Sequence, residues 1–257
     1  MRIKTTDKPS TASFFDDYHT SNVKALLIDC DGVIYNKQDC TYEDIAIVGF
    51  GKAMDILNIP RADLAPTRAE LKGRGVHGLL NAALAMCDKQ NIPFDSFAME
   101  MVKNIDYSRI EPDWDMLRLL RDCGAKMPIY IVTNNTRPHV EKIFTCLRGG
   151  RPFENVEESL NIRLVTIENT LADGVFHPKK TGTQLTDLCV QIGQLPENVL
   201  LLDDTADVCQ AAQIQGLQVR PIKTPYDTKM ILRSIIYEKS RSERAIPVRK
   251  TRGFFGR

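Results

Sequence analysis

Two aspartates stand one residue apart where an apolar run ends: Asp29 and Asp31 in ALLIDCDGVIY, residues 25–35, with Gly32 turning the chain. On an extended backbone, side chains two apart point the same way, so both carboxylates crowd one small volume. A bound cation, a shared proton or full solvation has to offset their repulsion. A second acidic pair, Asp203-Asp204, closes the run ENVLLLDDT. Thr133-Asn134-Asn135 follows the apolar PIYIV, and Lys179-Lys180 lie in FHPKKTG. Clustered carboxylates suit a hard, oxygen-seeking cation that keeps several waters, hence Mg2+. A hydroxyl and a lysine complement the non-bridging oxygens of a phosphate. Acids for metal and nucleophile, with a hydroxyl and an ammonium for the anion, are the parts of phosphoryl transfer through an aspartate.

Such residues work together only if several strands end side by side. Lys24 to Asp29, PIYIVTNN, LNIRLVTIEN, ENVLLLDDT and LQVRPI read as strands. Between them DWDMLRLLRDCG, PHVEKIFTCL, KTGTQLTDLCVQIG and ADVCQAAQIQG read as helices. Strands alternating with helices predict an α/β fold, a parallel sheet covered by helices on both faces. Ligands of such sheets sit at the carboxyl ends of the strands, where each polar cluster falls. From Thr41 to about Ser108 the pattern is helical without a strand, and Asn-Ile-Pro closes a helical stretch twice, at 58–60 and 91–93. The reading divides the chain into a loose lead-in at 1–22, an α/β core at 23–37 and 111–238, a helical insert at 38–110, and a basic, disordered tail at 239–257.

Composition narrows the class. A formal net charge of +1 gives no global attraction to nucleic acid or membrane. The seven cysteines are scattered and form no C-x-x-C pair, which reads as reduced thiols in a cytoplasmic compartment. No apolar run is long enough to span a membrane. The final stretch, KSRSERAIPVRKTRGFFGR, sets seven Lys/Arg against one Glu and is the segment suited to an anionic partner.

The order D-x-D-G-V, a strand ending in T-N, a lysine, and a strand ending in D-D resembles the haloacid dehalogenase-like (HAD) hydrolase superfamily over roughly residues 24–220. The resemblance implies a Rossmann-like core and a Mg2+-dependent phosphomonoesterase. It implies Asp29 as the nucleophile that forms an aspartyl-phosphate. Asp31 would be acid for the leaving group and then base for water, with its backbone carbonyl on the metal. Thr133 and Asn134 would hold the phosphate. Lys179 would neutralise it, and is favoured over Lys180 because Leu185 then falls where the family has an apolar residue. Asp203 and Asp204 would complete the metal site with Asp29 and Asp31; which of the two touches the metal directly stays open. An acid at position 31 speaks against dehalogenase activity, since that branch lacks the proton donor.

Asp31 and Thr133 are 102 positions apart, but Thr133 and Lys179 only 46. The extra mass therefore lies between the first two motifs and is helical, which resembles the helical-cap (C1) branch. GRGVHGLL (73–80) and NIDYSRIEPDWDMLRLLRDCG (104–124) are similar to the pyrimidine 5′-nucleotidase group. Lys72 stands where that group has a tyrosine, DCDGV replaces D-x-D-N-T, and the 147–178 connection is longer. Arg74 and His77 are the cap residues expected to meet the leaving group. The expected substrate is a small phosphorylated molecule, a nucleoside monophosphate first. A sugar-phosphate phosphatase or phosphomutase is the alternative, and a non-catalytic binding protein using the basic tail is the second. Cys30, between the acids, is expected to pack in the core, and Asp207 to be an exposed helix acid.

Overall fold

The computed structural model describes residues 22–179 and 184–245. The first strand, β1 (Ala25–Ile28), is buried along its whole length. A four-residue strand gains that burial only at the centre of a sheet, where each aliphatic side chain contributes roughly 2 kcal/mol. The chain then leaves the sheet for a long helical excursion. A π-helical turn, Asp44–Gly49, leads into α1 (Phe50–Ile56), α2 (Leu64–Gly73), α3 (Leu79–Lys89) and α4 (Phe94–Lys103).

The repeated Asn-Ile-Pro has one physical use at both places. Asn58 and Asn91 take left-handed backbone angles, φ 55° and 54°. Ile59 N then donates to Met54 O at 2.8 Å and Ile92 N to Cys87 O at 2.9 Å. These bonds satisfy carbonyls left over at the helix ends, and the proline that follows cannot continue the helix.

The return to the sheet alternates as expected. It runs through α5 (Trp114–Gly124), β2 (Ile129–Val132), α6 (Arg137–Leu147), α7 (Val156–Leu160), β3 (Arg163–Val165) and a hairpin of β4 (Leu171–Ala172) and β5 (Val175–Phe176). It continues with α8 (Gln184–Gln191), β6 (Val199–Asp203), α9 (Ala206–Ile214), β7 (Gln218–Pro221) and α10 (Pro225–Ala245). The sheet order is β3-β2-β1-β6-β7, all parallel, with Ile28 opposite Ile131 on one side and Leu202 on the other. The core is therefore a Rossmann-like α/β layer structure with a helical insert after its first strand.

Alternate residues of β1 face opposite layers. Ala25 and Leu27 pack with Leu185, Cys189, Val208 and Ala212 of α8 and α9. Leu26 and Ile28 pack with Leu120, Ile143 and Leu232 of α5, α6 and α10, in a cluster that continues into Phe50, Phe97 and Met101 of the insert. One apolar core thus joins sheet and insert.

Four features differ from the sequence reading. The run LNIRLVTIEN is a strand only at Arg163–Val165, because Thr166 and Asn169 cap each other and turn Ile167–Thr170 into a 3-10 helix. The hairpin and α7 are too short to carry a periodic signal. Helix α10 runs through residues 239–245, which the reading places in the tail. Its apolar face, Ile231, Leu232 and Ile235, is buried, and Arg233 and Lys229 pair with Asp115 and Asp113, both at 2.6 Å. The lead-in 1–21 and the tail 246–257 lie outside the described residues. No described helix is long and apolar enough to cross a membrane.

Candidate active site

Because β1, β2 and β6 are adjacent and parallel, their carboxyl ends open onto one place. Asp29 N donates to Leu202 O at 2.9 Å, which extends the ladder one residue beyond β1 and brings Asp29 level with Asp203. Lys179 fills the space between them. Its Nζ lies 2.7 Å from Asp29 Oδ1 and 2.7 Å from Asp203 Oδ2, and the lysine is only 2% exposed. Asn134 Oδ1 accepts from Lys179 N at 2.9 Å, so the residue after Thr133 fixes the loop that delivers the lysine. Lys180 lies outside the described residues.

Asp29, Asp203 and Asp204 each bring a carboxylate oxygen within 4.8 Å of the others. Thr205 orients the pair on β6: its N–H donates to Asp203 Oδ1 at 2.9 Å and its hydroxyl to Asp204 Oδ1 at 3.1 Å. Gly32 has φ +81°, and a Cβ there would stand 2.6 Å from Asp204 Oδ2. Only glycine lets the turn after Asp31 approach Asp204 this closely. Lys37 Nζ pairs with Asp204 Oδ2 at 2.7 Å from the rim. Four carboxylates against two lysines leave a local excess of two negative charges, and all the acidic ligands are oxygens. This donor set fits a hard divalent cation.

Asp31 is held differently. Tyr35 donates to its Oδ1, His139 Nε2 lies 3.1 Å from the same oxygen, and Asn135 Nδ2 donates to Oδ2 at 2.7 Å. Thr133 Oγ1 is 3.4 Å from Oδ2. The two acids consequently differ in proton affinity. Burial pushes the Asp29 carboxyl up to about 7, against the pull of Lys179. Burial also raises Asp31, but the hydrogen bond and electrostatic pull of His139, with the bonds from Tyr35 and Asn135, outweigh it and hold Asp31 well below the usual carboxylate range. Burial would lower Lys179, yet Asp29 and Asp203 hold its ammonium above the ordinary lysine range. Cys30 is fully buried in the core, where burial pushes its thiol well up, as expected for a packed residue.

A cavity of about 510 Å3 opens above the acids. Its floor holds Asp29, Asp31, Thr133, Asn134, Lys179 and Asp204. The insert supplies most of the opposite wall, with Tyr42, Ile45, Phe50, Leu80 and Met101, and Phe176 of the hairpin adds to it. Asn81 joins insert to hairpin: its Nδ2 donates to Phe176 O at 2.9 Å, and its Oδ1 accepts from Phe176 N at 2.7 Å. Phe94 meets Phe176 edge to face at 4.9 Å. His77 lines this cavity, but Arg74 does not; it lines a separate hollow with Glu70 and Lys89, and Arg68 is the cavity's arginine. A larger groove, about 830 Å3, runs past Val102, Arg137 and Phe153 and contains none of the four acids.

Sequence reasoning misses Arg68, Lys37, Tyr35 and His139 as members of the site. For Arg68 the available signal is its position one helical turn and a half before Arg74 on the same insert. His139 carries no local signal, because its partners are 32 and 108 positions away. Asp207 lies in the first turn of α9 and is exposed, outside the acidic cluster.

No protein-family model matches the chain, and neither does any curated protein. Solved structures do resemble it. CbbY from Rhodobacter sphaeroides, in complex with phosphate, is 17% identical over 77% of this chain and 86% of its own, with a TM-score of 0.45. A HAD family enzyme from Bacteroides thetaiotaomicron, in complex with magnesium and inorganic phosphate, is 17% identical over 77% and 93%, at 0.42. A haloacid dehalogenase-like family protein from Streptococcus pneumoniae is 14% identical over 83% and 91%, at 0.43. Identities of 14–17% and TM-scores of 0.42–0.45 carry no chemistry over to this chain, whose chemistry rests on the side chains of the site itself.

Proposed function

We propose that the protein is a Mg2+-dependent phosphomonoesterase of the haloacid dehalogenase-like superfamily, in its helical-cap branch, with residues 38–110 as the cap. The observation that carries this reading is Lys179 Nζ, 2.7 Å from both Asp29 and Asp203, at the edge of a three-carboxylate cluster. A buried ammonium bridging two acids neutralises a nucleophile and leaves the remaining oxygens for a cation and a phosphate.

Asp29 is the nucleophile. Its carboxylate oxygen forms a bond to phosphorus while the bond from phosphorus to the ester oxygen breaks. Asp31, which must carry a proton when the ester is bound, gives it to that departing oxygen. Water then attacks the aspartyl-phosphate, Asp31 takes the water's proton, and Asp29 is released with inorganic phosphate. Over a whole turnover the proton Asp31 gives up is matched by the one it takes from water, with solvent exchanging protons with it between turnovers. Thr133 and Asn134 flank the phosphate position, and Lys179 balances its charge. Asp29, Asp203 and Asp204, with the backbone carbonyl of Asp31, would hold Mg2+, which when bound keeps Asp29 ionised and offsets charge on the transferring phosphoryl group.

The apolar wall supports a nucleoside monophosphate ahead of a sugar phosphate. A flat base gains by burial against Tyr42, Phe50 and Met101, whereas sugar hydroxyls placed there lose hydrogen bonds to water. Seven unpaired cysteines suit a reducing, cytoplasmic setting. The test is phosphate release from nucleoside monophosphates and sugar phosphates, with Mg2+ and with chelator, beside Asp29→Asn. Mg2+-dependent release that the substitution abolishes is the expected result. Absence of release from every ester, by protein that binds Mg2+, overturns the reading.

A further inference from the structure

We infer that His139 is a positioning residue for Asp31, and that it links the segment returning from the insert to the site through Tyr107. The inference rests on the proposed role of Asp31 as the proton carrier.

A fully buried imidazole is costly unless both nitrogens find partners, and phenylalanine or methionine would fill the same space without that demand. His139 is 0% exposed and has both partners. The Tyr107 hydroxyl lies 2.9 Å from Nδ1, and Asp31 Oδ1 lies 3.1 Å from Nε2. Asp31 Oδ1 also accepts from the Tyr35 hydroxyl, so Nε2 is placed to donate to it. The Tyr107 hydroxyl is the partner of Nδ1, so a hydrogen-bonded chain connects Tyr107 through His139 to Asp31. Such a chain strengthens each bond in it.

The geometry leaves Asp31 little freedom. Oδ1 is tied to Tyr35 and His139, and Oδ2 to Asn135. The carboxylate still borders the cavity, but His139 does not. Its influence on an ester therefore passes through Asp31. The two tyrosines have a telling placement. Tyr35 lies on the segment leaving β1 for the insert, and Tyr107 on the segment coming back. Asp44 and Arg109 form an ion pair that ties those two segments together. Each connection between core and insert thus reaches the same carboxylate, one directly and one through His139.

A departing alkoxide needs the proton from Asp31, whereas a nitrophenolate leaves without it. The test compares kcat/KM for an alkyl phosphomonoester and for p-nitrophenyl phosphate, because this ratio reports events up to departure of the leaving group. In His139→Phe we expect kcat/KM for the alkyl ester to fall about a hundredfold and that for the aryl ester to change less than about threefold. The second step still needs Asp31 as base, so the aryl ester should show a burst of nitrophenol followed by slow turnover. His139→Gln, which can donate to Asp31, should recover most of the alkyl activity. Tyr107→Phe removes a single hydroxyl and should lower the alkyl ratio about fivefold in the same selective way, which provides a variant least disturbing to folding. Equal losses on both esters in these variants, or no loss on either, overturn the inference. If Asp31→Asn separates the two esters and the His139 and Tyr107 variants do not, the inference fails and the phosphatase reading stands. If wild-type protein releases no phosphate from either ester, the phosphatase reading itself has failed.

Discussion

The floor and the wall of the cavity are built on opposite principles. On the floor, every charged group faces another: Lys179 sits between Asp29 and Asp203, Lys37 meets Asp204, and Asp31 has hydrogen-bond partners on both oxygens. On the wall, Tyr42, Ile45, Phe50, Leu80 and Met101 offer shape and area, with Arg68 and His77 at its edge. The floor hangs on strand ends locked into one hydrogen-bonded ladder. The wall hangs on helices joined to the core by two connecting segments. Under the proposed function, a site divided this way can keep one chemistry and change its substrate by altering helices that never touch phosphorus.

Perturbing the floor should have the largest effects. Asp29→Asn removes the proposed nucleophile, and turnover should fall at least about a thousandfold in steady-state phosphate release. Lys179→Met leaves Asp29 and Asp203 facing each other without their shared ammonium, and kcat should drop about a hundredfold. The same change should raise the pH at which Asp29 ionises, since an attracting charge is lost. At the proposed metal site Mg2+ would compete with the proton on Asp29, whose carboxyl burial pushes up to about 7. Affinity measured by calorimetry should therefore tighten about tenfold per pH unit below that value and level off above it. The sign for stability is opposite. The folded state without metal holds this proton more tightly than the unfolded chain, so stability of the metal-free protein should decline as pH rises through about 7. Perturbing the wall should be milder. Arg68→Ala should raise KM for a nucleotide a few-fold and leave kcat nearly unchanged; a fall in kcat instead would place Arg68 on the floor's side of the division.

The same division explains what could be read from the chain. Lys179, in a loop, is legible from the order of the motifs, whereas Asp29, Asp31, Thr133, Asn134 and Asp203 are legible because each follows an apolar run whose ladder position is dictated by burial. Five strands emerge for the same reason. Lys179 in particular is tied to Asp203 by a contact only 24 positions long, across a single helix. The insert obeys no such rule. Its helices are visible in their periodicity, but whether Arg68 or Arg74 turns into the cavity depends on how α2 leans on α3. That choice is made by tertiary packing. Asn81 and Phe176 are 95 positions apart, and the hairpin that brings them together is two residues per strand. Helix α10 was legible in principle, through the spacing of Ile231, Leu232 and Ile235, but its basic C-terminal end masks that face.

Asn81 has one more consequence. A single side-chain amide takes both backbone groups of Phe176, as a neighbouring strand would. Helix α3 is thereby attached to the hairpin as though it were one more rung of a ladder, in surroundings where a broken bond finds no water to replace it. Parting α3 from the hairpin must therefore break both bonds together. A molecule enclosed beneath them would owe part of its residence to this amide, which lies outside the acidic cluster.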